Sequence, residues 1–254
     1  MDFFVIIPAR LASTRLPDKP LADLGGAPMV VRVAQRAAAS GARRVVVAAD
    51  SDAIVAACRD HGVEAVATSP QHATGTDRMA EAATQLGLAD DAIVINVQGD
   101  EPLIPPPVIE RVARCLHAHT DCAMATAACP LTAAAELFDP NVVKVVTDRS
   151  GRALLFSRAP IPWARDAFAL DRTQLPPQLP ARRHVGIYAF RAAFLRAYPQ
   201  LERDALETAE SLEQLRALAH GYRIAVEDFD EALPPGVDTP EDLQRVRAIF
   251  AGRR

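Results

Sequence analysis

The sequence predicts an α/β protein built on a doubly wound, mostly parallel sheet flanked by helices. Two observations carry this. The runs "FFVII" (3 to 7), "RVVVAA" (44 to 49), "EAVAT" (64 to 68) and "AIVINV" (92 to 97) are short, apolar and mostly β-branched, without polar alternation. That is the pattern of strands covered on both faces. Between them lie helix-like segments at about 28 to 40, 52 to 62 and 76 to 87; the first ends at Ser40-Gly41 and the third at Gly87, as a helix C-terminus prefers. Alternating strand and helix calls for right-handed crossovers. Ligands of such sheets sit outside the carboxyl ends of the strands.

The second half is less regular. "PPPVIERVARCLHAH" (105 to 119) reads as a helix, and "VVKVVTD" (142 to 148), "ALLFS" (153 to 157) and "HVGIYAF" (184 to 190) as strands. Their connections are too short for helical crossovers, apart from a polar, Pro-rich stretch at 164 to 182, so mixed or antiparallel pairing is expected there. That part would form a smaller lobe for substrate or dimerisation. "LETAESLEQLRALAH" (206 to 220) reads as one strong helix, and a last helix runs from about 240 to 250 with Thr239 as N-cap and Pro240 at the first helical position.

The 254 residues, half of them apolar and 24% charged, fit one globular domain. A net charge of -4 argues against a broad nucleic-acid footprint, so any anion site must be local. No basic and apolar leader pattern or bilayer-length apolar run is evident, and the expectation is a soluble, cytoplasmic protein. Cys58, Cys115, Cys122 and Cys129 lack CxxC spacing and are expected to be reduced core thiols.

The loop after the first strand, within "VIIPARLASTRLPDKPL" (5 to 21), carries Arg10, Arg15 and Lys19. Its small residues, Ala9, Ala12 and Ser13, leave backbone N–H groups open, while Pro8, Pro17 and Pro20 stiffen it before a ligand arrives. Three cations on one stiff loop at a strand end suit a triphosphate; the plainer alternative is a solvated loop whose cations pair with nearby acids. "VQGDEPLI" (97 to 104) sets Asp100 and Glu101 behind a glycine at another strand end, where carboxylates suit Mg²⁺, although Gly-Asp is also a common turn. Asp238 in "PPGVDTPEDL" (234 to 243) is either a second metal carboxylate or part of a helix start. "SPQHATGTDRMAE" (69 to 81) offers Thr74, Gly75, Thr76 and Arg78 at a loop-to-helix junction that can read a base or an anion. His184 and Tyr188, four apart on a strand, share one face. His117 and His119, two apart on a helix, do not face each other and are discounted as metal ligands.

Taken in order, "PARLASTRLPDKPL", "HATGTDR", "NVQGDEP", "FSRAPIPW", "HVGIYAFR", "LETAESLEQLRAL" and "GVDTPEDL" resemble the 3-deoxy-D-manno-octulosonate cytidylyltransferases, the CMP-Kdo synthetases of Gram-negative bacteria, from about residue 3 to about 250. The resemblance implies a Rossmann-like nucleotidyltransferase fold, a homodimer, CTP and Kdo as substrates, Mg²⁺ as cofactor, and CMP-Kdo as a product used in lipopolysaccharide biosynthesis. It implies a CTP-binding part over 1 to 130 and a sugar-binding and dimerisation part over 131 to 254. Carried onto matching positions, it makes Arg10, Ser13, Arg15 and Lys19 the triphosphate loop, and Thr74, Gly75, Thr76 and Arg78 the cytidine contacts. Asp100 and Asp238 become the metal carboxylates, and Gln98 lies between the substrates. Arg158, His184, Tyr188, Glu213 and Gln214 fall on the sugar-acid side, with Arg165, Glu207 and Glu210 as further positions there. Thr74 stands where the family has serine, which keeps the hydroxyl, and Ala27 where lysine is frequent.

Neighbouring transferases acting on sialic acid or methylerythritol phosphate would share the opening loop, but "FSRAPIPW" and "HVGIYAF" fit Kdo better. A silent nucleotide-binding regulator would lack the acidic pair. A dinucleotide-dependent dehydrogenase would need GxGxxG after the first strand, and those glycines are absent.

Overall fold

A computed structural model describes residues 1–12 and 16–252. Ser13 and Arg15 therefore lie outside the described residues. β1 (Phe3–Ala9), β2 (Arg44–Ala49), β3 (Ala65–Ala67) and β4 (Ile93–Asn96) are parallel neighbours in the order β3-β2-β1-β4. Between them run α1 (Met29–Ala38), α2 (Asp52–Asp60) and α3 (Gly75–Gln85), close to the predicted segments. Val5, Ile6 and Ile7 of β1 are all fully buried, which is why these strands read as unbroken apolar runs. Odd and even strand positions feed two separate cores: Val5 and Ile7 pack with α1 and α4 (Pro106–Ala118), whereas Ile6 and Val94 pack with Met79 of α3.

The sheet continues through β8 (Arg182–Arg191), β5 (Met124–Pro130) and β9 (Ile224–Asp228), giving the order β3-β2-β1-β4-β8-β5-β9. β8 is antiparallel to both β4 and β5, and β9 is parallel to β5. The predicted strands at 142 to 148 and 153 to 157 are β6 (Lys144–Thr147) and β7 (Ala153–Ser157), an antiparallel pair that branches off the sheet where β6 meets Arg182 and Arg183. β8 itself sits in the middle of the main sheet and not in an outlying lobe. β5 and β9 are absent from the sequence expectations: "MATAACP" is built of alanine, threonine and cysteine, small enough for close packing but with little β-branched signal.

Short helices α5 (Ala134–Phe138), α6 (Arg165–Leu170) and α7 (Ala192–Ala197) decorate the connections, α6 lying inside the Pro-rich stretch. The helix expected over 206 to 220 is a correction. It is two pieces, α8 (Ala205–Glu210) and α9 (Gln214–Ala219), parted by Ser211, whose φ of 52° is left-handed. The amphipathic period runs through the break, but the Glu207–Arg216 ion pair ties α9 to α8 across it. The last helix, α10 (Pro240–Ala251), begins as expected, with Thr239 and Asp242 forming a reciprocal capping box. All four cysteines are free and buried, and burial raises the Cys58 thiol to about 11. Among the described residues, no helix is long and apolar enough to cross a membrane.

Candidate active site

The carboxyl ends of β1 and β4 and the start of α3 open onto two adjoining cavities. The first, about 370 Å³, includes Arg10, Thr74, Gly75, Thr76, Arg78, Gln98, Tyr188, Glu213 and Gln214 in its wall, so nine of the expected positions converge from five separate stretches of chain. The second, about 310 Å³, is lined by Arg10, Lys19, Gln98, Asp100 and Asp238. Pro8, Ala9, Arg10 and Gln98 belong to both walls, which puts Gln98 at the junction.

In the second cavity the Lys19 ammonium lies 2.7 Å from Asp100 Oδ2 and 3.3 Å from Asp238 Oδ1. The cation of the opening loop does pair with acids, and those acids are the two carboxylates singled out as metal ligands. Three local devices hold this cluster. Val237 donates its backbone N–H to Asp100 O at 2.9 Å, joining two loops far apart in sequence. Gly236 packs so closely that a Cβ would lie 3.3 Å from Asp100 O, and a Cβ on Gly99 would lie 3.1 Å from Pro8 O, so both loops approach where a side chain has little room. Thr239 and Asp242 cap α10, and the Asp238 backbone N–H donates to Asp242 Oδ2 at 3.0 Å, leaving the Asp238 carboxylate to face Lys19. Behind them, desolvation first and then the Asp100 and Asp238 charges push Glu101 up to about 8.

Asp100 and Asp238, two hard oxygen donors already gathered on one cation, match the sparse carboxylate set that Mg²⁺ takes when waters and substrate phosphates complete its shell. Among the described residues no group of three or more acidic, histidine or cysteine side chains is gathered for a metal.

In the first cavity Thr74 N-caps α3 in a capping box with Asp77, which leaves the next hydroxyl, Thr76, to donate to Glu213 Oε2 at 3.0 Å. Arg78 is 3% exposed; it donates to Thr68 Oγ1 at 2.7 Å and Ser69 O at 3.2 Å, with Asp50 at 3.9 Å, so it braces the wall beneath the α3 start. Desolvation holds its guanidinium below the ordinary arginine value. Among the described residues, Asn96 Oδ1 and Gln214 Nε2 are buried without a hydrogen-bond partner, and both residues line this cavity. An unused acceptor and an unused donor in one pocket are unfavourable until a polar ligand engages them.

Arg158 and His184 stand outside both walls. Arg158 Nε donates to Glu210 O at 2.7 Å and Nη1 to Pro140 O at 2.9 Å, while the Glu210 carboxylate accepts from the Arg158 N–H and Ser157 Oγ. His184 packs 5.5 Å from the Tyr188 ring, one ring behind the wall. Arg165 is exposed on α6, beside Asp166, and Glu207 is committed to Arg216. The cavity also uses His72, Asn96, Met124, Phe190, Tyr198 and Ser211, which motif reading passed over. An asparagine closing the buried strand "IVIN" was the available signal for Asn96; the others look like ordinary core or turn residues.

A doubly wound sheet with a cationic loop, an acidic pair and a polar cavity at its carboxyl edge defines a nucleotidyltransferase, and the cytidylyltransferase family model matches residues 4–224. The chain belongs to the cytidylyltransferase family. Among solved structures it is similar to CMP:2-keto-3-deoxy-manno-octonic acid synthetase complexed with CTP, at 39% identity and a TM-score of 0.89, over 100% of both chains.

Proposed function

We propose that this protein transfers CMP from CTP to 3-deoxy-D-manno-octulosonate, giving CMP-Kdo and pyrophosphate. The observation that carries this reading is the full-length similarity to a CMP-Kdo synthetase complexed with CTP. The two cavities meeting at Gln98 supply matching space: a charged one for the triphosphate and a polar one for cytidine and sugar acid.

In the reaction the anomeric 2-hydroxyl oxygen of Kdo forms a bond to the α-phosphorus of CTP. The bond from that phosphorus to the β-phosphate bridging oxygen breaks, pyrophosphate leaves and the hydroxyl proton is released. Phosphoryl-type transfer asks the protein mainly for alignment and charge neutralisation. Arg10 and Lys19, with Ser13 and Arg15 of the same loop, hold the β- and γ-phosphates as charge builds on the leaving group. Thr74, Gly75, Thr76 and Arg78 form the cytidine side. Tyr188, Glu213 and Gln214 form the sugar-acid side, with Arg158 and His184 outside the cavity wall there and Gln98 between the substrates. Asp100 and Asp238 would hold Mg²⁺, which when bound neutralises phosphate charge and lowers the pKa of a coordinated hydroxyl.

The residues 1 to 130 serve CTP and 131 to 254 serve the sugar acid and a homodimer contact. Exposed Leu154 on the edge strand β7, with Trp163 and Leu170 nearby in sequence, supply apolar surface for that contact. The four free thiols suit a reducing cytoplasm, and the product suits lipopolysaccharide biosynthesis. Incubation with CTP, Mg²⁺ and either Kdo or sialic acid, following pyrophosphate release, tests the reading. Release with Kdo is expected; release with sialic acid alone, or with neither, overturns it.

A further inference from the structure

The pairing of β5 with β8 slips at one point: Ala127 faces Val185, but the next residue, Thr126, faces Tyr188. Gly186 and Ile187 are therefore extra residues in β8, a bulge of the kind that re-aims side chains beside active sites. Thr126 is fully buried, and its hydroxyl fills this bulge. Oγ1 lies 2.8 Å from Ile187 O, 3.2 Å from Val185 O and 2.9 Å from His184 Nε2.

A hydroxyl has one hydrogen, and two of these three neighbours are carbonyl oxygens that can only accept. If the hydrogen went to His184 Nε2, both carbonyls would face an oxygen with nothing to offer them. If it goes to the nearer carbonyl, Ile187 O, Oγ1 is free to accept from Nε2–H, and only the longer 3.2 Å approach of Val185 O is left without a hydrogen. We infer that Thr126 is a positioning residue that fixes His184 as the neutral Nε2–H tautomer, leaving Nδ1 a bare lone pair beside the Tyr188 ring on the sugar-acid side of the cavity.

The surroundings agree. The His184 ring is held edge-on to Phe156 at 5.0 Å and beside Tyr188 at 5.5 Å, in an aromatic setting that disfavours an imidazolium. Desolvation pushes its pKa down to about 3. Among the described residues no hydrogen bond is made by Nδ1, and Tyr188 belongs to the cavity wall. The tautomer itself stands independently of the reaction; its bearing on the sugar-acid side rests on the proposed function.

Histidine-selective nitrogen-15 NMR of the full-length protein reads the tautomer directly, with His184→Gln identifying the resonance. The expected result is Nε2–H in the parent and in Thr126→Ser, which keeps the hydroxyl, and a mixed or Nδ1–H population in the isosteric Thr126→Val. In the same proteins, Thr126→Val should raise the KM for Kdo by about tenfold, the worth of one well-placed hydrogen bond, with the KM for CTP unchanged and Thr126→Ser close to the parent. An Nδ1–H tautomer in the parent, or a spectrum indifferent to Thr126→Val, overturns the inference. A parent protein that shows the expected tautomer but does not turn over Kdo overturns the proposed function and the sugar-side role, leaving the tautomer assignment standing.

Discussion

Glu207 and Arg216 meet fork to fork, Nε to Oε2 at 2.7 Å and Nη2 to Oε1 at 2.6 Å, with both side chains almost wholly buried. The Tyr198 ring lies over the guanidinium at 4.6 Å, and its hydroxyl donates to Glu213 O at 2.8 Å. This network fixes the corner between α8 and α9 and delivers Glu213 and Gln214 to the cavity. Removing one partner strands a buried charge, so Glu207→Ala should lose about 3 to 5 kcal/mol in urea unfolding. Replacing both, Glu207→Leu with Arg216→Met, should stay within about 1 kcal/mol of the parent. A single variant as stable as the parent would contradict the account.

Asp100→Asn and Asp238→Asn each remove one of the two carboxylates around Lys19 while keeping size. Turnover at saturating CTP and Mg²⁺ should fall by roughly 100-fold or more in each, as for loss of one preorganised charge-stabilising group. The Kd for CTP, measured calorimetrically, should change much less. Unchanged turnover in either variant would remove it from the metal pair.

Gly99→Ala places a methyl 3.1 Å from Pro8 O, against backbone that cannot swing aside. Forcing the loops apart should cost about 1 to 3 kcal/mol of stability and weaken CTP binding together, since Pro8 and Gly99 both line the charged cavity. A variant with parental stability and affinity would show that the contact relaxes freely.

His184 is held near pKa 3 when folded and returns to 6.5 when unfolded. The unfolded chain therefore binds the extra proton throughout that window. The His184 contribution to stability is present above pH 6.5 and is lost as pH falls toward 3, by up to about 1.4 kcal/mol per pH unit. Acidic side chains add slopes of their own, so the clean measurement is the difference between parent and His184→Asn. Urea titrations from about pH 7.5 down to about 4.5 should show that difference moving in favour of the variant as acid is added. A constant difference would mean His184 is solvated as in the unfolded chain.

Much of the architecture is legible in the chain because β1 to β4 carry branched apolar residues on both faces and glycines close the intervening helices. β5 escapes because its alanines and Thr126 answer to a crowded position between β8 and β9, not to intrinsic strand preference. The break at Ser211 escapes for a similar reason: the helical period is satisfied on either side, and only the buried pairing of Glu207 with Arg216 across the break sets how the two pieces meet. Within the site, the loops bearing glycine, proline and acid are legible because several of them fall in order at strand ends, although each alone is also an ordinary turn. Asn96, Tyr198 and Met124 do not, being strand and core residue types whose exposure to a cavity depends on the whole sheet.

The backbone bond from Val237 to Asp100 O also bears on the order in which a working molecule comes into being. A ribosome delivers Asp100 long before Asp238, so a nascent chain can fold its first four strands while holding only half of the acidic pair. The loop that closes the charged cavity arrives only after the strands that carry its other wall. A chain interrupted before residue 237 keeps the cationic loop yet lacks the second carboxylate, and so the making of that later loop doubles as the step that completes the acidic pair.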